Sequence, residues 1–273
     1  MNSPVITLTT DFGHEDPFAG VMKGVILTIN PEAGIIDLTH GIRPHDIREA
    51  AFIIGMSYKY FPDGTIHVVV VDPGVGSGRR PVIVETGKHY FVGPDNGIFS
   101  MVYNMEPGAY RVINITSEQY LLSSKSPTFQ ARDVFAPVAA HISRGVGPSD
   151  FGGQVEDYRR IPLPAPVMAS EDRLKGEVIL IDRFGNAITN LSMEEISKLY
   201  DSNPEGVLKI FLNGREVLLL GCYSEARDKG IYSLINSWGY LEFFMYMGHA
   251  SSENGISIGD NAEIVITGRT AQA

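Results

Sequence analysis

Residues 68–81 have the sequence VVVVDPGVGSGRRP, which combines a strand with a polar loop. Four consecutive valines are typical of a strand that is covered on both faces, as in the middle of a helix-covered parallel sheet. The strand ends at Asp72, because the proline that follows has no N–H to donate to a neighbouring strand. Ligands of open α/β sheets bind beyond the carboxyl ends of the strands. The stretch therefore predicts an α/β sheet with Asp72 and an arginine at a functional edge, although a simple surface turn could have the same composition.

Strands and helices alternate on both sides of this stretch. The segments VITLTT, at residues 5–10, and GIIDLT, at residues 34–39, predict strands, and a helical segment follows each of them. Asp46 and Glu49 have the spacing of a capping box at the start of the second helix. We expect an α/β domain over residues 1–160, with a central and mostly parallel sheet that binds substrate at its edge.

The composition changes at a proline-rich connector. Residues 160–166 are RIPLPAP, and we expect a linker over residues 161–173. Strand patterns dominate beyond it, and the dipeptide Asn213-Gly214 is a strong signal for a two-residue hairpin. We therefore expect an all-β, barrel-like C-terminal domain over residues 174–273.

Charge and composition exclude several classes of protein. The 273 residues include 22 basic and 32 acidic side chains, which gives a net charge of −10, and no run of lysine or arginine exceeds two. The basic patch of a nucleic-acid-binding protein is therefore missing. No apolar run reaches membrane-spanning length, and residues 1–13 lack the pattern of a signal peptide. The single cysteine, Cys222, excludes an intrachain disulfide. We expect a soluble cytoplasmic protein that binds neither nucleic acid nor a membrane.

Phosphate and metal sites are both poorly supported. The glycine-rich loop at residues 74–78 lacks the Gly-Lys-Ser/Thr ending of a phosphate loop, and two predicted strands follow it where a helix is required. Acidic, histidine and arginine side chains lie near the predicted strand ends: Asp11, Asp16, His40, His45, Asp72 and Arg79. No two of these histidines have the spacing of a zinc-protease motif. We expect no metal and no cofactor, and a small-molecule binder or enzyme whose substrate the residues alone do not identify.

Aromatic residues in the predicted turns of the C-terminal half allow two interpretations. In the usual case Phe184, Tyr223 and Trp238 fill a core. They could instead stack on a planar heterocycle, with the amide of Asn186 bonding to the edge of that ring.

Eight segments, spread in order over almost the whole chain, form a more specific pattern. They are TLTTDFGHEDPF, MKGVI, DLTHGI, FPDGTIHVVVVDPGVGSGRRP, FVGPDNG, TFQARDVFAPVAAH, IDRFGNAITN and NSWGYLE. Together they resemble the S-adenosylmethionine hydroxide adenosyltransferase family, the adenosine-forming hydrolases related to the fluorinase and the chlorinase. The resemblance implies displacement of methionine from ribose C5′ of S-adenosylmethionine by water or hydroxide. It also implies a homotrimer whose active sites lie between the N-terminal domain of one subunit and the C-terminal domain of a neighbour.

The resemblance assigns roles to residues of the N-terminal half. Asp11 would bind the ribose hydroxyls, and Asp16 would bind the methionine ammonium group. Asp72 and Arg79 match the catalytic pair that orients and polarises the attacking water. The resemblance also places Phe129 against the substrate.

In the C-terminal half, the resemblance implies two further subsites. Ser237, with the backbone around Trp238, would hold the methionine carboxylate. The adenine pocket would be formed by Phe184, Asn186 and Tyr223. Two further residues are implied to bind substrate, Asp182 and Asn236.

One position departs from the family pattern. The hydrolases usually have His-Gly where this sequence has Gln130-Ala131. If the histidine is a general base, its loss would cost on the order of 10²–10⁴ in rate, whereas glutamine could replace a histidine that only positions water. We expect a metal-independent hydrolase that acts through Asp72, Arg79 and Gln130. The alternatives are a catalytically impaired binder of S-adenosylmethionine or adenosine, and a halide-using adenosyltransferase, which the charge of Asp72 disfavours.

Overall fold

A computed structural model describes residues 3–268 of the chain. The chain divides into two compact units, Met1–Leu163 and Pro164–Ala273, which we call the α/β unit and the barrel unit. Among the described residues, no helix is both long and apolar enough to span a bilayer.

The α/β unit contains a six-stranded mixed sheet with four α-helices. Its strands are β1 (Val5–Thr10), β2 (Gly34–Thr39), β3 (Ile66–Val70), β4 (Pro81–Thr86), β5 (Tyr90–Pro94) and β6 (Tyr110–Asn114). Its helices are α1 (Phe18–Ile29), α2 (Ile47–Ser57), α3 (Ser100–Met105) and α4 (Ala136–Ser143). The strand order is β2-β1-β3-β5-β4-β6, and the first four strands are parallel while β4 is antiparallel to both its neighbours. The predicted α/β class is confirmed.

The valine run occupies the centre of this sheet, and all five residues of β3 are buried. Val68 and Val70 pack into one core with Met22 and Ile26 of α1. Val69 and Val71 pack into a second core on the opposite face, which also includes residues of α2 and α3. Because successive side chains of a strand point to opposite faces, four valines in a row supply both cores. The prediction of a doubly covered strand is confirmed.

The start of α2 follows the predicted capping pattern only in part. The side chain of Asp46 accepts a hydrogen bond of 2.9 Å from the backbone N–H of Glu49. Glu49 does not complete the box, because its carboxylate accepts hydrogen bonds from the backbone N–H and the side chain of Arg43. The same spacing thus caps the helix and ties down the loop before it.

The barrel unit is an all-β structure with two short helices. Its strands are β7 (Val167–Ser170), β8 (Arg173–Ile181), β9 (Ala187–Ser192), β10 (Val207–Leu212), β11 (Arg215–Leu219), β12 (Ile231–Ile235), β13 (Tyr240–Met245) and β14 (Asn261–Thr267). Its helices are α5 (Met193–Asp201) and α6 (Ala250–Asn254). Seven strands form a closed ring in the order β8-β9-β13-β12-β11-β10-β14, because β14 also pairs with β8. The predicted barrel-like fold is confirmed.

Local turn chemistry fixes one corner of the barrel unit. Asn213 and Gly214 connect β10 to β11 with positive φ angles of 50° and 79°, as the predicted two-residue hairpin requires.

The segment 161–173, for which the sequence predicts a linker, contains the strand β7, which pairs with β8. That segment therefore includes a strand as well as a connector.

Candidate functional site

A cavity of about 340 Å³ lies in the α/β unit, beyond the carboxyl ends of β1 and β3. Parallel pairing of these two strands places the residues that follow them side by side. Five of the residues predicted from the sequence line this cavity: Asp11, Asp16, Asp72, Phe129 and Gln130. The fold thus brings together positions that are distant in the sequence, such as Asp11 and Gln130.

Arg79 reaches the cavity through Asp72. The Arg79 Nε donates to Asp72 Oδ1 at 2.9 Å, and Nη2 donates to Asp72 Oδ2, so the pair is bidentate. Both side chains are buried, at 4% exposed for Asp72 and 9% for Arg79. The guanidinium also lies over the ring of Phe135, at 5.4 Å from its centroid. Such a pair is rigid, and it presents a carboxylate to the cavity with its charge partly balanced.

Two buried polar atoms of this region have no hydrogen-bond partner among the described residues. They are Arg79 Nη1, which is a donor, and Gln130 Oε1, which is an acceptor. Buried polar groups are nearly always paired, so each of these two atoms is a candidate contact for a ligand or a solvent molecule. A water molecule can satisfy a donor and an acceptor together.

The backbone around Gln130 is irregular. Gln130 precedes a π-helical turn, Ala131–Phe135, that continues into α4. The sequence predicts a helix only from Val134, so the helical conformation begins three residues earlier than expected. Turns of this type occur frequently at functional sites.

A buried acidic residue fixes the segment before Gln130. Asp133 is fully buried and accepts hydrogen bonds from the Ser126 N–H at 2.6 Å and from Arg132 Nε at 2.5 Å. Burial raises the pKa of Asp133, but these hydrogen bonds outweigh it and lower the pKa overall. The ionised carboxylate therefore anchors the loop that carries Phe129 and Gln130.

The glycine-rich loop is required for close packing. Gly76 has a φ of +80°, and a Cβ there would lie 2.9 Å from the carbonyl oxygen of Pro127. Only glycine avoids both the strain and the clash. The loop after Asp72 thus packs against the segment that leads to Gln130, and this packing brings the two sides of the cavity together.

The cavity has an aromatic wall, of which only Phe129 was predicted. Phe12, Phe18 and Phe129 meet edge to face, with centroid distances of 5.2–6.3 Å. Phe18 is 41% exposed although it is a large apolar residue. The signal in the sequence was the alternation of phenylalanine and aspartate in DFGHEDPF, which places apolar and acidic groups on one short segment.

The two histidines near the strand ends have structural contacts. The backbone N–H of His45 donates to Asp11 Oδ2 at 2.9 Å. The ring of His40 lies 2.8 Å from Thr10 Oγ1 and 3.0 Å from Asp37 Oδ1. Within residues 3–268, no group of three or more His, Cys, Asp or Glu side chains is arranged to hold a metal ion.

The barrel unit has a second cavity, of about 740 Å³. Four of the predicted substrate-binding residues line it: Asp182, Phe184, Asn186 and Tyr223. Phe184 is 74% exposed and Tyr223 is 45% exposed, so neither ring is enclosed in a core. Exposed aromatic faces beside an amide can bind a flat heterocycle by stacking and by hydrogen bonds.

Asp182 shapes the turn that carries two of these residues. Its Oδ1 accepts the backbone N–H groups of Phe184 and Asn186, both at 2.9 Å, and its Oδ2 accepts the Asn186 side-chain amide at 3.0 Å. Gly185 completes the turn with a φ of +85°, and a Cβ there would lie 2.2 Å from the His249 ring. The turn therefore holds Phe184 and Asn186 in one orientation.

The remaining predicted residues lie in a neighbouring turn. Asn236, Ser237 and Trp238 precede β13 and are not among the residues that line the barrel cavity. Asn236 Oδ1 accepts the backbone N–H groups of Trp238 at 3.0 Å and Tyr240 at 3.2 Å. This side chain therefore stabilises the turn itself.

Each of the two units thus has its own cavity, one lined by acidic and phenylalanine side chains and the other by aromatic side chains beside an amide. The chain belongs to the SAM hydroxide adenosyltransferase family. Residues 6–152 match the SAM hydroxide adenosyltransferase N-terminal domain, and residues 176–263 match the corresponding C-terminal domain.

Individual relatives are similar over nearly the whole chain. A protein of Methanocaldococcus jannaschii named (R)-S-adenosyl-L-methionine hydrolase is 39% identical, over 96% of this chain and 95% of its own. A protein of Thermus thermophilus with the same name is 33% identical, over 94% of this chain and 97% of its own. A fluorinase of Actinoplanes is 26% identical, over 88% and 90%. The crystal structure of an uncharacterised conserved protein from Thermotoga maritima superimposes with a TM-score of 0.87 at 32% identity, covering 95% of this chain and 99% of that one.

Proposed function

We propose that this protein hydrolyses S-adenosyl-L-methionine, with water displacing L-methionine from ribose C5′ and releasing adenosine. The observation that carries the proposal is the 39% identity, over 96% of this chain, with a protein named (R)-S-adenosyl-L-methionine hydrolase. That name specifies one epimer at sulfur, and we propose the same epimer as substrate. Incubation of the purified protein with each epimer separately tests this. Equal release of adenosine and methionine from the R epimer supports the proposal, and release from neither epimer contradicts it.

Displacement at C5′ makes modest demands on acid–base chemistry. The water oxygen forms the new bond to C5′, the C5′–S bond breaks, and its electron pair remains on the sulfur of methionine. The leaving group is thus a neutral thioether, and the proton lost from water passes through Asp72 to solvent. Most of the catalysis comes from holding one water in line with the C–S bond in a site of fixed charges.

Two unpartnered atoms suit this water, one on Gln130, which lines the α/β cavity, and one on Arg79, which is bonded to Asp72 of the same lining. We assign Arg79 Nη1 as a donor to its oxygen, and Gln130 Oε1 as an acceptor for one of its protons. Asp72 would accept the second proton. Gln130 acts by orientation only, because an amide does not take up a proton near neutral pH.

The same groups disfavour a halide as the nucleophile. A halide ion accepts hydrogen bonds and donates none, so the Gln130 carbonyl oxygen and the Asp72 carboxylate would repel it. Chloride-dependent formation of a 5′-halo nucleoside would contradict the assignment of water.

Gln130 also favours a second candidate function, which is tight binding of S-adenosylmethionine or adenosine with little turnover. If Gln130 orients water, as we propose, Gln130→His changes kcat by less than about tenfold, while the apolar Gln130→Leu lowers it by about 10²-fold. Steady-state rates of adenosine release measure both. A rise of kcat by 10²–10⁴-fold in Gln130→His would instead support the impaired binder.

We further propose a homotrimer in which the α/β cavity of one subunit and the barrel cavity of a neighbour form one site. Apolar residues of α1 outside the cavity support an interface, since Val21 is 38% exposed and Leu27 is 44% exposed. The predicted mass is three times the 29.9 kDa of one chain. A monomeric mass in light scattering contradicts the trimer.

Subunit mixing tests whether the sites are shared. Asp72→Asn disables the α/β cavity and Asn186→Ala disables the barrel cavity. Subunits of these two inactive variants, unfolded together and refolded, should regain activity, because some mixed sites combine two intact halves. No recovery in trimers shown to be mixed contradicts a shared site.

We also propose a cytoplasmic location. Cys222 is the single cysteine of the sequence, and its thiol is free and exposed. A reducing compartment keeps such a thiol reduced.

A further inference from the structure

A buried carboxylate in the barrel unit has no assigned role. Glu242 lies on β13 and is 3% exposed. Its Oε1 accepts the hydroxyl of Tyr223 at 2.7 Å, and its Oε2 accepts the side-chain amide of Asn236 at 3.1 Å. None of the ion pairs among the described residues of the barrel unit includes it. Glu242 is therefore held by two neutral donors, and burial of a carboxylate without an opposite charge costs folding free energy.

The electrostatic surroundings increase this cost. Burial is the largest cause that raises the pKa of Glu242, and the nearby charge of Asp182 raises it further. Burial and the bond to Glu242 likewise raise the pKa of Tyr223, so its phenol stays protonated. An apolar side chain at this position would pack without the cost of burying a carboxylate. Glu242 therefore indicates a function other than packing.

The directions of the hydrogen bonds to Glu242 and Asp182 indicate this function. Tyr223 lines the barrel cavity, and the single proton of its phenol is donated to Glu242, so its oxygen can offer only lone pairs to a ligand. In the same way, Asn186 donates one of its side-chain amide hydrogens to Asp182. Each of two carboxylates thus takes a donor hydrogen from a residue that lines the cavity. Tyr223 is left as an acceptor without a free donor, and Asn186 keeps one amide hydrogen.

We propose that Glu242 is a positioning residue that makes the barrel cavity selective for a purine with an exocyclic amino group over a 6-oxo purine. The proposal rests on the proposed function, in which this cavity takes the adenosyl group. The amino group at C6 of adenine donates to the Tyr223 oxygen. In a 6-oxo purine the carbonyl oxygen at this place would face another acceptor, and an unpaired buried acceptor weakens binding.

Binding of adenosine and inosine to the full-length protein tests the proposal without any turnover. Isothermal titration calorimetry should give a Kd for adenosine at least about tenfold lower than that for inosine. In Glu242→Gln, the new carbonyl accepts the Asn236 amide, and the new NH₂ group faces the Tyr223 oxygen. The phenol proton then turns toward the cavity. The ratio of the two Kd values should fall to near one, mainly because inosine binds more tightly.

Matched variants separate this effect from a loss of structure. Glu263→Gln removes another barrel carboxylate, one that pairs with Arg173 at 3.2 Å and Lys175 at 3.3 Å, and it should keep the wild-type ratio. Tyr223→Phe should also lower the ratio, and adding Glu242→Gln to it should cause no further change. If Glu242→Gln does not fold, Tyr223→Phe carries the test.

The outcomes distinguish this inference from the proposed function. A wild-type ratio in folded Glu242→Gln or in Tyr223→Phe overturns the role of Glu242. Equal weakening of both nucleosides in Glu242→Gln also overturns it, because a merely structural residue would do the same. Preference for adenosine without hydrolysis of S-adenosylmethionine would overturn the proposed function and leave this inference intact.

Discussion

Asp72→Asn is expected to lower kcat for adenosine release by about 10²–10³-fold, with little change in KM. The substitution keeps the shape of the side chain but removes the charge that faces the cavity. It also frees the Arg79 guanidinium from its bidentate partner, so that the arginine no longer holds water in one orientation. Steady-state kinetics with S-adenosylmethionine measure both parameters.

The control for this variant is a second carboxylate–arginine pair in the same unit. Asp95 is 8% exposed and binds Arg80 at 2.8 Å, outside the residues that line the cavity. Asp95→Asn should lower the thermal stability, because the buried carboxylate that binds Arg80 is lost, while kcat stays at the wild-type value. Equal loss of kcat in the two variants would show that Asp72 acts through stability alone.

Arg79→Lys is expected to lower kcat by about 10²-fold. Lysine keeps the positive charge, but it cannot reproduce the planar fork that binds both oxygens of Asp72 and directs Nη1 away from them. We assign Arg79 to the attacking water and not to the substrate, so KM should change little. A lower kcat with an unchanged KM would indicate an effect on the reacting water.

The adjacent arginine provides the comparison. Arg80 is more exposed, at 28%, and pairs with Asp95 and Asp157. Its hydrogen bonds to these carboxylates raise its pKa, so it is a permanently charged surface group. Arg80→Lys should leave kcat unchanged. Full activity in Arg79→Lys would remove the guanidinium from the mechanism.

The core of the α/β unit could be predicted because its signals are local. Four valines in succession require cover on both faces, and the structure places Val68 and Val70 in one core and Val69 and Val71 in the other. Turn chemistry was equally informative, since Asn213-Gly214 forms the predicted hairpin. Patterns of this kind depend only on neighbours in sequence.

Closure of the barrel could not be predicted in the same way. Pairing of β8 with β14, and parallel pairing of β11 with β12, join segments that are distant in sequence or lack a tight turn. Local residue patterns do not specify such partners. The strand β7 and the five-residue helix α6 were also missed, because both are too short to show a clear period.

The residues of the candidate site could be predicted better than the directions of their side chains. The ends of β1 and β3 could be placed, and therefore Asp11 and Asp72 could be placed near each other. The sequence alone does not determine which of two adjacent arginines turns inward, and here it is Arg79. Sequence reasoning gave no structural role to Asp182 or Asn236, because their bonds to turn N–H groups depend on the folded backbone.

Hydrolysis in H₂¹⁸O tests the central claim most directly. The purified protein is incubated with S-adenosyl-L-methionine in labelled water, and the products are analysed by mass spectrometry. We predict equal amounts of adenosine and methionine, with one ¹⁸O atom in the 5′-hydroxyl of adenosine and none in methionine. Absence of adenosine, or adenosine without the label, would contradict attack of water at C5′.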